Sequence, residues 1–138
     1  MELFIGGFAQ GKTEYVKSLY PDRRVIDEND PVFSCCPDKK DMITASLGGE
    51  KLIINHFHLI IRRMLENKFS PDDIRELIVN DTLSGDAVII SDEIGSGLVP
   101  MDRFEREYRE LVGRCLTEIA KRSESVVRII CQIPMKLK

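Results

Sequence analysis

Basic residues are in deficit along this chain: 20 lysines and arginines face 23 aspartates and glutamates among 138 residues, a formal charge of −3. That balance builds no cationic field, so nucleic acid is not an expected partner. Long apolar runs are missing too. None approaches the roughly 20 residues that a membrane-spanning helix needs, and no early segment joins basic to apolar residues as a leader peptide does. The expectation is a cytoplasmic protein with no membrane partner. Cysteine is sparse: Cys35, Cys36, Cys115 and Cys131 form no C-x-x-C pair. Adjacent cysteines rarely bridge each other, and this spacing suits neither a disulfide framework nor zinc, which leaves free thiols in a reducing compartment. Aromatic residues are few and tryptophan is absent. The apolar fraction is ordinary, and residues 1–138 are long enough to bury a core as a single domain.

Glycine is concentrated where it carries meaning. Gly6-Gly7-Phe8-Ala9-Gln10-Gly11-Lys12-Thr13 fits G-x-x-x-x-G-K-[ST] in full, after the apolar run Leu3-Phe4-Ile5 and before a helical stretch over 14–19. A loop joining a strand to a helix N-terminus offers backbone N–H groups and the helix dipole to phosphate oxygens. Gly6 and Gly11 permit close approaches that a side chain would block. Lys12 is placed to meet the terminal phosphates, and the Thr13 hydroxyl to reach a phosphate-bound Mg²⁺. The pattern predicts a nucleoside-triphosphate site using ATP or GTP as substrate, with Mg²⁺ as cofactor.

Apolar runs at 3–5, 51–54, 87–91 and 126–131, with a weaker one at 24–27, read as short buried strands of a parallel sheet. Helical stretches fall between them, at 14–19, 58–67 and, after the N-cap Ser70 with Pro71 in the first position, to about 79. The longest, 102–122, spaces Phe104, Tyr108, Leu111, Val112, Cys115 and Ile119 on one face. Strand–helix alternation predicts a single-domain α/β fold of the P-loop NTPase type. Its sheet is mostly parallel, with helices on both faces and strands in RecA-like order. Residues 28–49, punctuated by Asp30-Pro31, Cys36-Pro37 and Gly48-Gly49, read either as a mobile substrate loop or as a solvated connection, with a short helix at 39–47. Mid-helix Gly113 disfavours the helix by about 1 kcal/mol relative to alanine, and close packing against another element is its simplest explanation.

A second motif closes the run at 87–91: Ser91-Asp92-Glu93-Ile94-Gly95-Ser96-Gly97-Leu98-Val99-Pro100. An apolar strand ending in acids has the form of a Walker B segment. Asp92 would hold Mg²⁺ together with Thr13, and Glu93 or Asp92 would activate the attacking hydroxyl beside Lys12. The plainer alternative is a pair of acids ending a strand. Arg103, Arg106 and Arg109 lie three apart along one helical flank. Such a row can hold phosphates, or the acids of a neighbouring copy in a homo-oligomer. It can equally form a solvated face with Glu105, Glu107 and Glu110.

The run Asp92-Glu93-Ile94-Gly95-Ser96-Gly97-Leu98-Val99-Pro100 resembles the Asn-Glu-Val-Gly-x-Gly-Ile-Val-Pro signature of the adenosylcobinamide kinase / adenosylcobinamide-phosphate guanylyltransferase family. Arg103, Arg106, Tyr108, Arg109, Glu110, Gly113 and Arg114 resemble its arginine-helix pattern, and Gly6 to Thr13 its phosphate loop. The resemblance spans roughly the first twenty and last fifty residues, and the middle departs from it. It implies phosphoryl transfer from a nucleoside triphosphate to a corrinoid hydroxyl, and GMP transfer by way of a histidine. No histidine occurs in 28–49, where the family carries the one that accepts GMP, so the guanylyltransferase half is expected to be lost. Asn55 stands where the resemblance implies an acid, and a neutral amide neither takes a proton nor strongly attracts a metal. His56 and His58, the two histidines, read first as ordinary polar or packing residues and second as proton carriers or nucleophiles. The leading expectation is a short, divergent kinase of this family. The alternatives are a non-catalytic nucleotide-binding module and a kinase for a different small molecule.

Overall fold

The apolar runs assemble as one six-stranded sheet. Strands β1 (Glu2–Gly6), β2 (Arg24–Ile26), β3 (Leu52–Ile54), β4 (Val88–Asp92) and β5 (Ser125–Ile130) pair in parallel, and β6 (Ile133–Lys136) turns back antiparallel on β5. The order is β2-β3-β4-β1-β5-β6, so the first five strands take the expected RecA-like order with β1 between β4 and β5. This computed structural model describes residues 1–34, 38, 40–47, 51–81 and 86–138. The expectations for Cys35, Cys36, Pro37, Lys39, Gly48 and Gly49 lie outside the described residues.

Residue parity divides the strands between two cores, because successive side chains leave a strand on opposite faces. Leu3, Leu52, Ile54, Ile89 and Val126 pack on one face, with helices α2 (Lys40–Leu47), α3 (Phe57–Glu66), α4 (Pro71–Arg75) and α5 (Arg103–Arg122). Phe4, Ile53, Val88, Ile90 and Ile129 pack on the other, beneath Tyr15 and Val16 of α1 (Lys12–Leu19). Both faces of the parallel strands are therefore covered, which is why their runs are continuous rather than alternating. Arg62 of α3 ties the larger layer together. Its guanidinium donates to Glu105 at 2.6 Å and lies over the rings of Phe104 and Tyr108.

Three expectations need correction. The helix begun by Ser70 keeps its capping box with Asp73, but its α-helical part stops at Arg75. A π-helical turn (Glu76–Asp81) follows and carries Leu77 and Ile78 into the core beside Ile74. Residues 28–49 are not a wholly solvated connection in their described part, and the short helix expected at 39–47 is present as α2. A 3₁₀ turn (Pro31–Ser34) buries Phe33, and α2 buries Ile43, each 1% exposed. Gly113 does not mark close packing. It is exposed, and a Cβ there would meet nothing within 4 Å.

Candidate functional site

The phosphate loop leaves β1 at Gly6 and enters α1 at Lys12. Gly11 is the N-cap in left-handed conformation (φ 76°, ψ 21°), and no side chain caps the helix. The first-turn N–H groups of α1 are thereby left to whatever occupies the loop. Glycine is favoured at Gly6 by space and at Gly11 by its left-handed backbone as well as by space. A Cβ on Gly6 would overlap the Ile129 carbonyl of β5, and one on Gly11 would overlap the Gln132 side chain in the β5–β6 turn. That turn is fastened to the loop by Gln10, whose side-chain Oε1 accepts from the Cys131 N–H at 2.7 Å. The Gln10 carbonyl accepts from the Gln132 N–H at 3.0 Å.

Strand register brings the second motif to the same edge. Gly6 pairs with Asp92, the last residue of β4. Lys12 is only 6% exposed; its Nζ lies 2.6 Å from Asp92 Oδ1 and donates to the Gly7 carbonyl at 2.7 Å. The neighbouring Thr13 hydroxyl donates to Oδ1 of buried Asn55, just past β3, at 2.9 Å. Sequence reasoning singled out each of these four residues, but not that they meet as two pairs.

The histidines belong to the same edge. His58 is buried, and its Nδ1 accepts from the Asp92 N–H at 3.2 Å while Nε2 lies 3.7 Å from Asp92 Oδ2. This assigns the ring proton to Nε2. Burial lowers the His58 pKa from its ordinary 6.5, against the opposing pull of the Asp92 carboxylate. His56 takes the left-handed conformation (φ 49°) at the N-cap of α3. Its ring is partly exposed, with Nδ1 3.1 Å from Glu28 Oε2. The two rings meet edge-on at 6.2 Å. A cleft of about 400 Å³ opens here, lined by the loop from Phe8 to Glu14, by His56, His58 and Leu59, and by Asp92.

Other expected site residues lie elsewhere. Glu93 donates its N–H to the Gly6 carbonyl at 3.0 Å, and its carboxylate pairs with Arg128 at 2.8 Å rather than facing the cleft. Arg106 donates to the carbonyls of Pro100 and Met101 at 3.1 and 2.5 Å, and Arg109 to that of Leu98 at 2.9 Å. These two fasten the glycine–valine–proline loop to α5, beside a shallow hollow of about 300 Å³. Arg103 is exposed on the first turn of α5. None of the three arginines lines the phosphate-loop cleft. The expected glutamate partners also turn elsewhere, Glu105 to Arg62 and Glu110 to Arg114. Cys115 is buried, its thiol pushed up to about 11 by burial, whereas Cys131 is exposed.

Among the described residues no group of three or more His, Cys, Asp or Glu could hold a metal ion by itself. Mg²⁺ at a phosphate site asks for less, because phosphates and water supply most of its ligands. The Thr13 hydroxyl and the Asp92 carboxylate are hard oxygen donors lining one cleft, a donor set that fits Mg²⁺. Among the described residues, no helix is long and apolar enough to cross a membrane.

A family model described as cobinamide kinase / cobinamide phosphate guanyltransferase matches residues 40–137. That span begins beyond the phosphate loop, so the loop is evidence independent of it. The match also runs through α2, β3 and α3, so the likeness reaches further into the middle of the chain than the motifs predict. The chain is 25% identical over 121 residues to the bifunctional adenosylcobalamin biosynthesis protein CobU of Salmonella typhimurium, across 87% of this chain and 61% of that protein. It thus spans under two thirds of the relative's length. With its phosphate loop at the carboxyl edge of a RecA-ordered sheet and a family match over most of its length, the chain belongs to the CobU family of cobinamide kinases / cobinamide phosphate guanylyltransferases.

Proposed function

We propose that this chain transfers the γ-phosphoryl group of ATP or GTP to a hydroxyl of a cobinamide, and that it has lost the guanylyl-transfer half of the family's chemistry. The observation that carries the reading is the convergence of Lys12, Thr13 and Asp92 at one cleft behind a complete phosphate loop. Lys12 is held by Asp92 at the position from which it would exchange onto phosphate oxygens. Thr13 and Asp92 would hold Mg²⁺, which when bound neutralises charge on the phosphates. Phosphoryl transfer asks chiefly for positioning and charge stabilisation, and neither depends on a guanylylated histidine. Family membership supports the corrinoid as acceptor. The absence of any histidine between residues 28 and 49 supports loss of the nucleotidyl step.

A non-catalytic nucleotide-binding module is the second reading, and Asn55 favours it. The Thr13 hydroxyl meets a neutral amide there, which adds no negative charge to the metal's surroundings. Incubation with Mg²⁺, adenosylcobinamide and γ- or α-phosphate-labelled ATP and GTP separates the two. Labelled cobinamide phosphate from the γ-label, with no α-label on protein or product, is the expected result. Nucleotide binding without transfer would replace the kinase with the module.

A further inference from the structure

We propose that His56, oriented by Glu28, is the group that takes the proton from the acceptor hydroxyl; the inference rests on the kinase reading above. It begins with strand register. Ile26 of β2 pairs with Ile54 of β3, so the residues two places beyond each strand end, Glu28 and His56, emerge side by side at the carboxyl edge of the sheet. Glu28 Oε2 stands 3.1 Å from His56 Nδ1, which assigns the Nδ1 proton to the bond with the carboxylate. The Nε2 lone pair of the neutral ring is then the one left for a ligand.

The backbone serves the same end. His56 takes a left-handed conformation uncommon outside glycine (φ 49°, ψ 42°), and its ring lines the phosphate-loop cleft while 43% exposed. His58 cannot do this work. Its Nδ1 lone pair is used by the Asp92 N–H, and its proton sits on Nε2 beside the Asp92 carboxylate. Asp92 is engaged by Lys12, and Glu93 by Arg128 outside the cleft. The charged and titratable groups facing the pair are His58 on α3, Lys12 and Glu14 on α1, and Asp92 on β4. Among these, His56 combines imidazole basicity with an accessible lone pair, and carboxylates are weaker bases near neutral pH.

In the step, the acceptor O–H proton passes to His56 Nε2 as the oxygen forms its bond to the γ-phosphorus. The bond from that phosphorus to the β–γ bridging oxygen breaks, and the nucleoside diphosphate leaves with the electron pair. The imidazolium then returns its proton to water at the exposed edge of the ring. Glu28 is a positioning residue, fixing the tautomer without touching the substrate.

The test uses the full chain with Mg²⁺, ATP or GTP, and adenosylcobinamide. His56→Asn tolerates the left-handed backbone but offers no base. It is expected to lower kcat about 100-fold, within the range of general-base effects, with nucleotide KM unchanged. His56→Gly relaxes the backbone, and added imidazole is expected to restore part of its rate, which no structural role would produce. Glu28→Gln is expected to lower kcat about tenfold with KM intact. Wild-type kcat in His56→Asn would overturn the proposal while leaving the kinase standing. Acid-labile α-label on His56 would overturn it in favour of a covalent role. No transfer by the unaltered chain to adenosylcobinamide would bring down both readings together.

Discussion

His56 and His58 stand two residues apart and bond in opposite senses, one giving its Nδ1 proton to a carboxylate and the other accepting a backbone N–H. For His58 the consequence is a pH-dependent stability. Burial holds its folded pKa below the ordinary 6.5 that the unfolded chain keeps. Between the two values the unfolded chain binds a proton that the folded chain does not, so stability rises with pH across that window. The contribution is complete above about pH 6.5 and falls on acidification, with a slope of at most ~1.4 kcal/mol per pH unit for one group. Urea unfolding at pH 7.5 and 5.5 should therefore show a steeper loss in the wild type than in His58→Gln, which keeps an acceptor for the Asp92 N–H. Equal losses would mean that the ring is already charged when folded. Gly113 offers a simpler case. With open space around it in the middle of α5, Gly113→Ala should raise stability by about 1 kcal/mol, read as a higher urea midpoint at unchanged slope. A lower midpoint would indicate that something packs against this face after all.

At the level of elements, the sequence is legible where one residue or one short run decides. Continuous apolar runs mark the parallel strands, β2 more weakly than the rest, Ser70-Pro71 marks the start of α4, and the spacing of Tyr108, Leu111, Val112, Cys115 and Ile119 marks the buried side of α5. Strand β6 carries no such mark. All four of its residues are exposed, so nothing in their hydrophobicity distinguishes strand from tail. The contacts that make the site are also silent in one dimension. Glu28–His56 follows from β2–β3 register, and Gln10 meets Cys131 across 121 residues. Gly6 shows how such a contact hides inside a motif. The phosphate-loop pattern demands glycine there for the ligand, yet the structure demands it also for β5, whose Ile129 carbonyl occupies the space of a Cβ. Gly6→Ala must push β1 and β5 apart at the loop. The expected cost is about 2 kcal/mol or more, in the range of overpacking at a rigid neighbour, even with no nucleotide present. Thermal unfolding of the ligand-free variant at wild-type stability would confine the glycine's role to the ligand.

Across the whole molecule, four parallel strands end at one edge and each delivers something to it. β1 brings the loop with Lys12 and Thr13, β2 brings Glu28, β3 brings Asn55 and the histidines, and β4 brings Asp92. Two of the other three contributions, from β3 and β4, touch Lys12 or its neighbour Thr13 directly or through Asp92, so a ligand at Lys12 would be coupled to the sheet rather than to one loop. Lys12 and Asp92 are both largely buried, and each charge is tolerated because of the other. On the proposed kinase reading an incoming phosphate would take over Lys12 and leave Asp92 for the metal, an exchange of partners that would keep buried charge compensated throughout. Binding to the folded chain alone then adds to its stability by mass action. Free Mg²⁺–nucleotide at 100 times its dissociation constant should add about 2.7 kcal/mol, read as a concentration-dependent rise in the unfolding temperature. Lys12→Ala leaves the largely buried Asp92 carboxylate without its lysine and should lower the ligand-free unfolding temperature, so the informative quantity is the further shift on adding nucleotide. We expect that shift to vanish in Lys12→Ala and to persist in His56→Asn, which leaves Lys12, Thr13 and the loop backbone unaltered. A full nucleotide shift in Lys12→Ala would remove the phosphate loop from the binding site, and with it the frame on which the catalytic reading stands.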